Sequence, residues 1–140
     1  MNATFLHRRL LLSNDVQEVP QLASFVDEVC ENLEFDMMTT MQMNLALEEA
    51  VVNVMDYAYP AGTKGEVCVE ALADGTCLTF IISDSGKPFD PTAKAEVDTT
   101  LSAEERPIGG LGIHLVRQLM DSVSYERVDD RNVLKLSKKL

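Results

Sequence analysis

The chain of 140 residues is 46% hydrophobic, enough length and apolar content for one domain whose core needs no disulfide framework. Its 23 acidic against 12 basic residues leave a formal net charge of -11, which repels a phosphate backbone and argues against direct nucleic-acid binding, while a partner with a basic surface remains compatible. Cys30, Cys68 and Cys77 lack any C-x-x-C spacing, and no apolar run approaches the roughly 18 residues of a membrane span, so a cytosolic domain with reduced thiols, no zinc site and no membrane contact is expected.

In chain order, Phe5 and Leu10–Leu12 predict a first strand, ended by the turn-prone Ser13-Asn14-Asp15. From Val19 onward, Leu22, Phe25, Val26, Val29, Cys30 and Leu33 recur at spacings of three and four, one face of an amphipathic helix. A second helix is predicted from about Thr39 to Tyr57, behind the cap candidate Asp36 and ahead of Pro60-Ala61-Gly62. Glu66–Ala73 and Thr76–Ser83 are rich in β-formers and flank Asp74-Gly75, a pair that favours a two-residue hairpin turn. That register sets Cys68 against Ile81 and away from Cys77. Residues 89 to 108 hold no clean period and read as a long loop of the kind used as a lid. Leu111–Asp121 predicts a third helix, and Val123–Val128 with Asn132–Leu136 a closing hairpin around Asp129-Asp130-Arg131. The order implies a single α+β domain: a two-layer α/β sandwich with a mixed, mostly antiparallel sheet and helices on one face.

Three segments carry chemistry. On the second helix Glu49 and Asn53, four residues apart, stack one turn over the other, opposite a core face of Met43, Leu47, Val51, Val54 and Ala58. Asn53 interrupts an apolar run and must be satisfied by something if buried; taken alone, it also fits a solvent-facing side chain beside two solvated acids. The strand Phe80-Ile81-Ile82-Ser83 delivers Asp84, a carboxylate able to accept from an amino group such as adenine's, and Gly86, which permits close backbone approach to a flat ligand; the same residues also make ordinary turns. Gly109-Gly110-Leu111-Gly112 runs directly into the third helix, where backbone N–H groups and the helix dipole favour a triphosphate, although a plain turn fits as well. There is neither a G-K-[ST] P-loop nor a Rossmann G-x-G-x-x-G.

The motifs Glu49-Ala50-Val51-Val52-Asn53, Asp84-Ser85-Gly86-Lys87-Pro88-Phe89-Asp90-Pro91 and Gly109-Gly110-Leu111-Gly112-Ile113-His114-Leu115-Val116, in this order over nearly the whole chain, resemble the anti-sigma-factor serine/threonine kinases of bacterial partner-switching systems. Those kinases are a branch of the Bergerat-fold ATPases that also includes histidine kinases and gyrase. The resemblance implies ATP and Mg²⁺ as cofactors. Asn53 would ligate the metal, Asp84 would read the adenine amino group, and Gly86 would line the base pocket. Gly109, Gly110, Leu111 and Gly112 would cradle phosphates under a lid at about 89–108. Glu49 would be the catalytic acid that orients or deprotonates a substrate hydroxyl, and Arg106 a lid arginine reaching the γ-phosphate. The implied partners are an anti-anti-sigma (STAS-type) antagonist protein, a sigma factor, and a second copy in a homodimer.

Two positions depart from the family's pattern: Asp56, where many members carry histidine, and Arg131-Asn132, where Gly-Thr is frequent. A nucleotide-gated binding module without phosphotransfer uses the same three motifs and is the competing expectation. A histidine kinase or chaperone ATPase would require further domains. His7 and His114 receive no role.

Overall fold

The computed structural model describes residues 6–60, 63–93 and 110–140. Strand β1 spans Leu6–Ser13, helix α1 Val19–Asn32, α2 Met37–Tyr57, β2 Glu66–Ala73, β3 Cys77–Asp84, α3 Gly110–Leu119, β4 Ser122–Val128 and β5 Arg131–Lys139. The sheet order is β1-β2-β3-β5-β4, and every pairing among the described strands is antiparallel.

The period of two decides which side chains meet the helices. Val67, Val69, Ala71 and Ala73 of β2, Leu78, Phe80 and Ile82 of β3, and Leu134 and Leu136 of β5 are buried together with Leu22, Val26 and Val29 of α1 and Met43, Leu47, Val51 and Val54 of α2. Asp84 and Asn132 have the same parity as these apolar residues, so the sheet turns both toward the core. The 21-residue α2 is the central helix and packs against both α1 and α3. It begins two residues earlier than expected, because Asp36 accepts from the backbone N–H of Thr39 at 2.7 Å and caps it. The first strand runs from Leu6 through the expected Leu10–Leu12, with Arg8 and Arg9 exposed on it.

The β2–β3 hairpin corrects the expected register. Ala73 pairs with Leu78, so the connection is longer than the two-residue turn and Cys68 faces Ser83, not Ile81. The cause is the Asp74 carboxylate, whose Oδ1 accepts from Thr76 N at 2.9 Å, Thr76 Oγ1 at 2.8 Å and Cys77 N at 3.1 Å. These bonds make an Asx-type turn in which Gly75 takes φ 94°. Because the slip is an even number of residues, every side chain keeps its face. Cys77 pairs with Lys139, so the thiols stay apart as expected. The two successive positive φ values that a two-residue hairpin turn needs occur instead at Asp129 (49°) and Asp130 (62°), between the paired Val128 and Arg131.

The end of α2 is tied to β2 and to the segment after β3. The Tyr59 hydroxyl donates to the Glu66 carbonyl at 2.7 Å and accepts from Ser85 N at 3.1 Å. Gly65 gives that ring its room, since a Cβ there would lie 2.3 Å from Tyr59 Cε1. Tyr59→Phe leaves the Ser85 N–H without its acceptor and is expected to cost about 1–3 kcal/mol. Gly65→Ala should cost at least as much by displacing the ring. Equilibrium denaturation checks both, and a Gly65→Ala protein of wild-type stability would contradict this packing.

Candidate functional site

Strand pairing places Asp84, the last residue of β3, directly opposite Asn132 on β5. Asp84 is fully buried and Asn132 is 3% exposed. Asn132 Nδ2 donates to Asp84 Oδ1 at 2.9 Å, and the Gly86 backbone N–H donates to the same oxygen at 2.9 Å. Asp84 Oδ2 is buried without a hydrogen-bond partner among the described residues. Burial pushes the Asp84 carboxyl above its ordinary pKa, opposed by the Asn132 and Gly86 donors and by the Arg127 and Arg131 charges. Arg127 Nη1 donates to the Gly86 carbonyl at 2.9 Å, and Arg131 Nη2 to Ser83 Oγ at 3.3 Å.

Asn132 also holds the segment that follows. Its Nδ2 donates to the Lys87 carbonyl at 2.8 Å, while its Oδ1 accepts from Phe89 N at 3.1 Å and from the Tyr125 hydroxyl. Phe89 stacks on Tyr57 with centroids 5.3 Å apart. Lys87 N donates to the Ala58 carbonyl at 2.8 Å, fastening the same segment to the end of α2. Gly86 is required by that approach: a Cβ would lie 2.3 Å from the Ala58 oxygen. Its freedom, anticipated for a flat ligand, is first of all used against protein backbone.

Asn53 is 6% exposed and its Nδ2 has no partner among the described residues, so the solvent-facing alternative is set aside. Glu49, one turn earlier, is half-buried, and Asp56, one turn later, is exposed. Gly110, Leu111 and Gly112 form the first turn of α3, where the leading backbone N–H groups lack helical acceptors. Gly109, Arg106 and most of the 89–108 segment lie outside the described residues. His114 is exposed and next to Gln118, and His7 lies 3.1 Å from Glu70.

The residues missed by sequence reasoning are Asn132 as the partner of Asp84, and Tyr125 behind it. A signal for Asn132 was available: it shares the parity of Leu134 and Leu136 and therefore had to face the core. Tyr125 offered none beyond its own strand pattern.

The family description "histidine kinase-like ATPase domain" matches residues 12–138. The chain belongs to that family. This ATPase domain is 38% identical over 85 residues to the serine-protein kinase RsbW of Listeria monocytogenes serovar 1/2a, covering 58% of this chain and 54% of the relative. It thus spans about half the length of that relative. It is 27% identical over 95 residues to the serine/threonine-protein kinase BtrW of Bordetella bronchiseptica, covering 68% of this chain and 67% of the other. A crystal structure of RsbU and RsbW domains from Mycobacterium tuberculosis superposes with a TM-score of 0.69 at 13% identity, covering 96% of this chain and 32% of that one. That likeness establishes the shared α+β fold. The resemblance to the anti-sigma-factor kinases read from the three motifs therefore holds.

The ATPase domain's own atoms fit the groups this family implies. The unpartnered acceptor Asp84 Oδ2 suits an exocyclic amino donor. No cluster of three or more His, Cys, Asp or Glu capable of holding a metal occurs among the described residues. A magnesium ion needs none here, because it is commonly held by one or two protein oxygens plus nucleotide phosphates and water, which a single Asn53 amide oxygen can join.

A buried carboxylate with an orphaned oxygen also has a stability signature. Since its folded pKa is raised, the stabilisation from protonated Asp84 is complete below the unfolded value of about 3.9 and is lost as pH rises through the folded value. Asp84→Asn escapes that loss. Its melting temperature relative to wild type, measured without nucleotide, should therefore increase from pH 4 to pH 7. A relative melting temperature that falls over this range would contradict the assignment.

Proposed function

We propose that this domain is an ATP- and Mg²⁺-dependent serine/threonine protein kinase and anti-sigma regulatory factor that phosphorylates a small STAS-type antagonist protein and sequesters a sigma factor. The observation that carries the reading is the buried, unpartnered Asp84 Oδ2, left free while two donors engage Oδ1, in a chain of the histidine kinase-like ATPase family. The RsbW and BtrW names supply the kinase class.

In this reading Asp84 accepts from the adenine amino group, with Gly86 shaping the pocket beside it. Bound magnesium would neutralise phosphate charge, and Asn53 would hold it through its side-chain oxygen. The N–H groups around Gly109, Gly110, Leu111 and Gly112 would receive the phosphates at the head of α3. Glu49, one helical turn from Asn53, orients the substrate hydroxyl and accepts its proton as the oxygen attacks the γ-phosphorus. The bond from that phosphorus to the β,γ-bridging oxygen breaks and ADP leaves. Glu49 would act through its position beside the attacking oxygen. Arg106 would offset charge on the phosphoryl group from the lid. The setting is cytoplasmic, and a homodimer is part of the same reading.

The experiment is phosphotransfer from γ-labelled ATP to small proteins of the source organism, with ATP affinity measured in parallel. Glu49→Ala should lower transfer by about 10²- to 10⁴-fold while leaving ATP affinity near wild type. Asn53→Ala should weaken magnesium-dependent ATP binding as well as transfer. Transfer unaffected by Glu49→Ala would remove its catalytic role. ATP-responsive partner binding with no labelled protein would establish instead a nucleotide-gated binding module.

A further inference from the structure

The Asn132 amide has a forced orientation. Its nitrogen end meets two acceptors, Asp84 Oδ1 and the Lys87 carbonyl, and its oxygen end meets two donors, Phe89 N and the Tyr125 hydroxyl. Turning the amide over would set its oxygen against two fixed acceptors and its NH₂ against the Phe89 N–H in a site that is 3% exposed. Asn132 therefore always presents N–H to residue 84. The Gly86 N–H converges on the same Oδ1. Any side chain at 84 of this length must set an acceptor against these two donors and leave its other terminal atom free of them.

We propose that Asn132 is a specificity-determining positioning residue that fixes the hydrogen-bonding polarity of the base pocket, so that it selects 6-aminopurine over 6-oxopurine nucleotides. With aspartate at 84 the atom left free is the acceptor Oδ2, complementary to an amino group and repelled by a keto oxygen. With asparagine at 84 the oxygen must turn inward to the two donors, and the NH₂ takes the place of Oδ2. The pocket then presents a donor, complementary to the 6-oxo group of hypoxanthine. Where a Gly-Thr pair would put a hydroxyl that can donate or accept, Asn132 imposes one sense. The inference rests on the reading of Asp84 as the base contact.

The test is equilibrium binding of Mg·ATP and Mg·ITP to the full chain, scored as the ratio of the two dissociation constants, which a general packing defect would leave unchanged. Wild type should favour ATP by about tenfold or more, and Asp84→Asn should favour ITP. Adding Asn132→Ala to Asp84→Asn removes one inward donor and should shrink the ITP preference about fivefold. Asn132→Ser, whose hydroxyl has no fixed sense, serves the same purpose if the alanine variant does not fold. An Asp84→Asn protein that binds both nucleotides as wild type does would overturn the base-contact reading itself. Loss of ATP without gain of ITP, or an ITP preference untouched by either Asn132 change, would overturn the role of Asn132 and leave that reading standing.

Discussion

Putting a carboxylate on the core face of a sheet is costly, and the arrangement around Asp84 follows from how that cost is limited. Full desolvation disfavours the charge. Two hydrogen bonds to one oxygen, with two arginines at greater distance, offset it in part. The β3–β5 register supplies the main donor by setting Asn132 across from Asp84. One residue of slip would turn both side chains to the other face of the sheet, so the same apolar alternation that builds the core also assembles this pair.

From there the geometry spreads along the backbone. Asn132 grips Lys87 and Phe89, Lys87 grips Ala58, and Phe89 lies on Tyr57. The segment leaving β3 is thereby fixed to the end of the helix that carries Glu49 and Asn53. Gly86 and Gly65 are the places where this fastening needs an absent side chain, one against the Ala58 carbonyl and the other against the Tyr59 ring. A change at Gly86 would act on the helix junction and on the Asp84 carboxylate at once, because its N–H is one of the two donors to Oδ1.

Much of this was legible in the sequence. Periods of 3.6 and 2 located three helices and five strands, and the apolar face of α2 was read residue by residue as Met43, Leu47, Val51, Val54 and Ala58. The depth of Asn53 was not legible, because α2 is buried on more than one side and a helical period cannot say whether a second face meets solvent or protein. The hairpin register was missed for a different reason. Asp-Gly can make a two-residue turn, but the Asp74 side chain found three local donors and held a longer one. Asn132 was noticed as a departure from a motif, yet its role depends on a cross-strand neighbour 48 residues away, which no local pattern encodes.

The polar atoms that break packing rules are not all equal. Asp84 Oδ2, Asn53 Nδ2 and Asn14 Oδ1 are each buried without a partner among the described residues. Asn14 sits on a half-exposed turn, where its own Nδ2 reaches the Thr63 carbonyl at 3.2 Å. That bond fixes the amide's sense, and the orphaned oxygen lies at the edge of an exposed loop. Asn53 and Asp84 differ because each interrupts an apolar run on an element packed into the core, where an alanine or valine would be less costly. Local rules broken at a stability cost, in segments tied to one another by the Tyr59 and Lys87 contacts, are what a binding site leaves in an otherwise consistent fold. The two orphans differ in sense, an acceptor at Asp84 Oδ2 and a donor at Asn53 Nδ2, and under the proposed function the first is the atom that a base amino group would complete.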